Sequence, residues 1–117
     1  MDRRIELIIS LLKNDTSRAW DTDTLAALVN LSASRFRHLF KHETGSSPRQ
    51  YLRELRLQKA EVLLATTFMS LKEIAESIGL VSLTHFMQDF KQRHGRTPRE
   101  YRIAARMAAL RSKTKKH

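Results

Sequence analysis

The sequence predicts an all-α chain of two helix-turn-helix units joined by a long helix, and three observations point to that architecture. Glycine and proline are scarce, three and two in 117 residues, and apolar residues recur at three-and-four spacing. Residues 40–51, FKHETGSSPRQY, return at 90–101 as FKQRHGRTPREY, with Phe, Lys, Gly, Pro, Arg and Tyr identical at six of the twelve positions. Ser, Thr and Asp residues able to start helices lie around both copies at nearly matching distances. No segment reads convincingly as a strand.

About seven helices follow in order. Apolar periodicity puts the first at 3–13. The second, 21–29, starts on Asp21, with Trp20 and Leu25 as an apolar staple and Thr24 where a reciprocal Glu would stand. The third, 32–44, is capped by Ser32 and stapled by Leu31 and Phe36, after a turn in which Asn30 takes a positive φ. Gly45 ends it, and the fourth helix, 47–66, begins with Ser47 as cap, Pro48 at the first helical position and Gln50 completing a capping box. The fifth, 70–78, has the box Ser70/Glu73 and the staple Met69/Ile74. The sixth, 82–94, repeats the third, with Gly79 in the turn, Ser82 as cap and Val81/Phe86 as staple; Gly95 ends it. The seventh, 97–109, repeats the fourth's start with Thr97, Pro98 and Glu100.

Before the turn of each unit, equivalent residues are 49 apart (Asp21 and Ser70, Leu25 and Ile74). After it they are 50 apart (Ser32 and Ser82, Phe36 and Phe86, Phe40 and Phe90), so the second turn holds one extra residue. Two helices joined by a tight turn form a helix-turn-helix, whose second helix can enter a DNA major groove. The expected division is a first subdomain at 1–46, a linker helix at 47–66, a second subdomain at 67–109 and a basic, disordered tail at 110–117. At about 1.5 Å rise per residue the linker spans roughly 30 Å, near the 34 Å of one turn of B-DNA, a length that sets helices 32–44 and 82–94 into successive major grooves.

Composition narrows the function classes. The formal net charge is +10, and it is uneven: residues 1–82 hold 12 basic and 10 acidic groups, residues 83–117 hold 10 and 2. Such a potential attracts nucleic acid, an anionic membrane surface or an acidic protein. With no cysteine, disulfides, thiolate metal sites and cysteine nucleophiles are excluded, and a reducing compartment fits. No apolar run reaches bilayer length and the N-terminus lacks a secretory apolar stretch, so the expectation is a cytoplasmic protein without membrane attachment.

The second unit, IAESIGLVSLTHFMQDFKQRHGRTPREYR, resembles the signature of the DNA-binding domain of AraC/XylS-type bacterial transcription regulators in Ile74, Ala75, Gly79, Phe86, Phe90, Lys91, Gly95, Pro98 and Tyr101. The resemblance runs from about Ile5 to Ala109. It implies two helix-turn-helix units on a long helix, a site of about two turns of DNA, and activation by recruiting RNA polymerase. Most members also carry an effector-binding or dimerisation domain. This chain is similar either to the small stand-alone members or to a regulator's C-terminal domain, and no small-molecule sensor is expected within it.

The family places base contacts on the outward face of each reading helix, and the residues agree. Phe36, Leu39 and Phe40 turn inward, leaving Ser34, Arg35, Arg37, His38 and Lys41 outside. Arg37 suits guanine and His38 a purine acceptor, with Ser34 beside them. Arg35 and Lys41 grip phosphate. In helix 82–94, Gln88 suits adenine, Thr84 a base or phosphate and Leu83 a thymine methyl, with His85 also on that side; for Leu83 and Met87 partial burial in the core is an equal expectation. Asp89 is unexpected beside DNA. Ser32, Ser82, Lys91, Ser47, Arg49, Thr97 and Arg99 are the further phosphate candidates, several of them at helix starts where the dipole favours an anion. Arg102, Arg106, Arg111, Lys113, Lys115 and Lys116 make the end cationic.

Other readings are weaker. His38 and His42 stand four apart, as zinc ligands can on a helix, but no third ligand is evident and no HExxH motif is present, so neither metal nor cofactor is expected. No glycine-rich phosphate loop or serine triad points to an enzyme. A weakly specific nucleoid or other nucleic-acid-binding helical protein is the alternative. The aromatics sit at core-like positions rather than on a stacking surface, which favours duplex DNA over RNA.

Overall fold

A computed structural model describes residues 1–114. They form seven helices and, among the described residues, no strand: α1 (Arg3–Asn14), α2 (Thr22–Leu28), α3 (Ala33–Thr44), α4 (Pro48–Thr66), α5 (Leu71–Ser77), α6 (Leu83–His94) and α7 (Pro98–Thr114). Every cap predicted from residue chemistry has its hydrogen bond. Ser32 Oγ accepts from the Arg35 amide and Ser82 Oγ from the His85 amide, each at 3.2 Å. The boxes at Ser47/Gln50, Ser70/Glu73 and Thr97/Glu100 are reciprocal. At Asp21, where no Glu closes a box, the Thr24 amide and hydroxyl both donate to the Asp21 carboxylate. Asn30, Gly45, Gly79 and Gly95 all have positive φ, as the turns require.

The chain divides into two compact units, Met1–Arg56 and Leu57–His117, and the division falls within α4. The reason lies in its side chains. Leu52 belongs to the first core, with Tyr51 and Leu55 packed against it, whereas Leu57, Ala60 and Leu64 belong to the second. Ile5, Ile8 and Leu12 on α1 have the same three-and-four spacing as Leu57, Ala60 and Leu64, so the later half of α4 takes in the second unit the place that α1 takes in the first. Leu25, Ala26 and Val29 with Phe36 and Phe40 complete the first core. Ile74, Ala75 and Ile78 with Phe86 and Phe90 complete the second. The Phe40 and Tyr51 rings meet edge-on at 5.4 Å, and Phe90 and Tyr101 do the same at 5.3 Å.

Three expectations need correction. Val81 does not staple to Phe86: it is fully exposed, at 103%, because it is itself the extra residue of the second turn, and Leu80 packs inward where Leu31 does in the first unit. Residues 110–114, expected in a disordered tail, continue α7, whose run of Ala, Met, Leu and Arg has high helix propensity; Lys115, Lys116 and His117 lie outside the described residues. Arg102 and Arg106 are not simply tail cations. Arg102 donates to the Leu64 and Met69 carbonyls at 3.1 and 2.7 Å, and Arg106 to the Thr67 carbonyl at 2.8 Å with its guanidinium over the Phe68 ring. They satisfy carbonyls left open where α4 ends. Arg56 does likewise in the first unit, donating to the Thr16 and Arg18 carbonyls just beyond α1.

Candidate nucleic-acid interface

In the first unit the candidate surface is built on α3. Phe36 and Phe40 are buried, which turns Ser34, Arg35, Arg37, His38, Lys41 and His42 outward, and all six are exposed. An open cleft of about 520 Å³ runs beside them, lined by Arg4, Leu31, Ser34, Arg35, His38, Leu39 and His42. Arg4 comes from α1 and was not anticipated from the sequence, because nothing local relates residue 4 to residue 38. It is ion-paired with Asp2 at 2.9 Å. The Arg4 side chain, then its backbone amide, hold the Asp2 carboxyl down at about 2.

In the second unit the candidate surface is built on α6. Thr84, His85, Gln88 and Lys91 are exposed around the inward pair Phe86 and Phe90. Leu83 and Met87, for both of which partial burial is an equal expectation from the sequence, are 37% and 38% exposed: partly covered, with more than a third of each surface open. The signal for the exposure of Met87 was in the repeat: at the 50-residue offset Met87 occupies the place of Arg37. Asp89 is half-buried. At the inner end of α6, His94 stacks on Phe90 at 4.2 Å and its Nε2 lies 2.8 Å from Glu61 Oε1, at an angle that misses a hydrogen bond. This His is packing, not surface.

The helix-start candidates are more constrained. Ser32 is exposed, and Ser47, Ser82 and Thr97 are half-buried; all four hydroxyls already accept cap hydrogen bonds. The Ser47 and Thr97 amides are taken by the Gln50 and Glu100 side chains, and Pro48 and Pro98 carry no N–H. What these two starts offer a phosphate is the amide and exposed guanidinium of Arg49 and Arg99. Positive charge is on both units: Met1–Arg56 holds ten basic and seven acidic groups, net +3, and the remainder twelve and five, net +7. Among the described residues no group of three or more His, Asp or Glu side chains is placed to hold a metal ion, and no helix is long and apolar enough to cross a membrane.

A family model described as a helix-turn-helix domain matches residues 25–104, most of the chain, with α3 and α6 both inside the match. The chain belongs to the AraC-type helix-turn-helix family. It is 34% identical to the HTH-type transcriptional regulator MtrA of Neisseria gonorrhoeae over 101 residues, 86% of this chain and 34% of MtrA. It is 32% identical to the RCS-specific HTH-type transcriptional activator RclR of Escherichia coli over 106 residues, 91% of this chain and 37% of RclR. The chain thus spans about a third of the length of these relatives. Among solved structures, the DNA-binding domain of AdpA, a global transcriptional factor crystallised with a target DNA, superposes with a TM-score of 0.86 at 30% identity, over 90% of this chain and 95% of that one. The C-terminal domain of the response regulator yesN from Fusobacterium nucleatum gives 0.80 at 30% identity, over 86% and 99%.

Proposed function

We propose that this chain is the sequence-specific, double-stranded-DNA-binding part of a transcription regulator, with α3 and α6 as its reading helices. The observation that carries the reading is the outward face of α3, where Arg37, His38 and Ser34 are exposed together and flanked by Arg35 and Lys41. Arg37 donates two hydrogen bonds to guanine, His38 bonds a purine acceptor, and the flanking cations grip phosphate. On α6, Gln88 pairs with adenine, and Thr84 and His85 contact bases or sugar-phosphate near it. Lys91, Arg49 and Arg99 add phosphate contacts that set register. Similarity to a domain crystallised in complex with a target DNA supports DNA as the partner.

Activation through contact with RNA polymerase is proposed from the family and from relatives such as the activator RclR. No small-molecule effector is assigned to this chain, and the bacterial cytoplasm, where duplex DNA is accessible, is the proposed location. We assign no enzymatic activity to this chain.

Selection of bound duplexes from a random pool tests the reading. The expected result is an enriched motif with two informative blocks, one for each unit. Retention of all sequences alike, with affinity governed only by salt, would replace it with a sequence-neutral nucleic-acid binder.

A further inference from the structure

Equivalent positions of the two reading helices carry different chemistry. Met87 stands where the first unit has Arg37, Gln88 where it has His38, Thr84 where it has Ser34 and Leu83 where it has Ala33. In the turns, Leu31 packs on the first core and Leu80, which makes the same backbone hydrogen bond 49 residues on, packs on the second; Val81 is the residue the second turn has in addition, and it is 103% exposed. Leu83 and Met87, four residues apart and therefore on one side of α6, are also exposed. Leu83 and Met87 each leave more than a third of their surface open and Val81 leaves all of it, apolar exposure that core burial does not account for. They border the polar face bearing Thr84, Gln88 and Lys91, in a unit of net charge +7.

We propose that α6 reads thymine through its C5-methyl group, with Val81, Leu83 and Met87 forming the apolar contact. This rests on the duplex-DNA reading above and adds the base class of the second block. The major-groove edge of an A·T pair presents one methyl on thymine and a donor and acceptor on adenine. An apolar side chain recognises the first and the neighbouring Gln88 amide the second. A Met thioether, flexible and polarizable, conforms to a methyl where a guanidinium would stay hydrated. The two units therefore divide the code: α3 prefers guanine through Arg37, and α6 prefers A·T pairs through methyl contact.

Uracil in place of thymine removes that methyl and leaves every hydrogen-bonding group unchanged, which makes the test selective. The intact chain is titrated against its selected duplex, with the blocks assigned by which one Arg37→Ala relaxes. Uracil at each contacted thymine of the other block is expected to weaken binding roughly fourfold, the equivalent of one buried methyl. Uracil in the Arg37 block has no comparable effect. Met87→Ala and Val81→Ser each shrink the penalty, and the triple variant with Leu83→Ser erases it. Thermal unfolding confirms that the variants remain folded. A second block without thymine, no response to uracil, or a full penalty in the triple variant overturns the proposal. Absence of any sequence preference in the unmodified chain would instead defeat the underlying DNA-reading assignment.

Discussion

Arg37 and Lys41 sit one turn apart on α3, both exposed, yet their chemistry assigns them different work. Arg37→Ala is expected to cost about 1–3 kcal/mol at one or two base pairs and to relax preference there, whereas Lys41→Ala weakens all sequences alike and lowers the salt slope by about one. Binding titrations over a panel of mutated duplexes at several salt concentrations measure both. Asp2 supplies a pH prediction. Its carboxyl caps α1 and pairs with Arg4, which lowers its value from 3.8 to about 2. Because the folded-state value is the lower one, its stabilising effect is present above pH 3.8 and is lost as pH falls toward about 2. Denaturant unfolding across that window should show a shallower pH dependence in Asp2→Asn, which keeps a good cap without a titrating group. Glu73 and Glu100, lowered by the backbone amides they accept from in their capping boxes, act in the same direction.

Helix ends were the most legible features, since caps, boxes and glycine stops depend on a few adjacent residues. Gly95 illustrates the physics: its φ is +74°, and a Cβ added there would meet nothing within 4 Å, so only backbone strain opposes a side chain. Gly95→Ala is expected to cost about 1 kcal/mol, and Gly95→Asn less, in thermal or urea unfolding. Phe90, fully buried between Phe86 and Tyr101, gives a larger effect: Phe90→Ala should cost roughly 3–5 kcal/mol. Local pattern misjudged the elements where tertiary contact decided. The end of α7 was expected as tail because RSKT is polar, but the helix before it propagates through those residues. Arg102 and Arg106 counted as charge in sequence, whereas their guanidiniums serve the carbonyls at the end of α4, more than thirty residues earlier. Arg102→Ala should therefore lower stability by about 1–3 kcal/mol by leaving part-buried carbonyls unpaired, in addition to any change in DNA affinity.

For the whole molecule, the repeat is both the strongest sequence signal and the basis of a bipartite site. Each unit closes its own core and each turns one reading helix outward, so the selected motif is expected to contain two blocks, and the sequence expectation for their separation is about ten base pairs. Loss of one block in a variant altered only on α3, with the other retained, would establish that the units read independently. The all-α class, the two helix-turn-helix units, the caps and the inward phenylalanines were determined by sequence, because helix periodicity and capping act between residues at most a few positions apart. Tertiary structure decided what depends on distant partners. It split α4 between two cores, brought Arg4 beside His38, tied Arg102 to Leu64, and left Val81 and Met87 on the surface. Whether an apolar side chain is buried depends on what the rest of the chain brings against it, and no local pattern of residues contains that information.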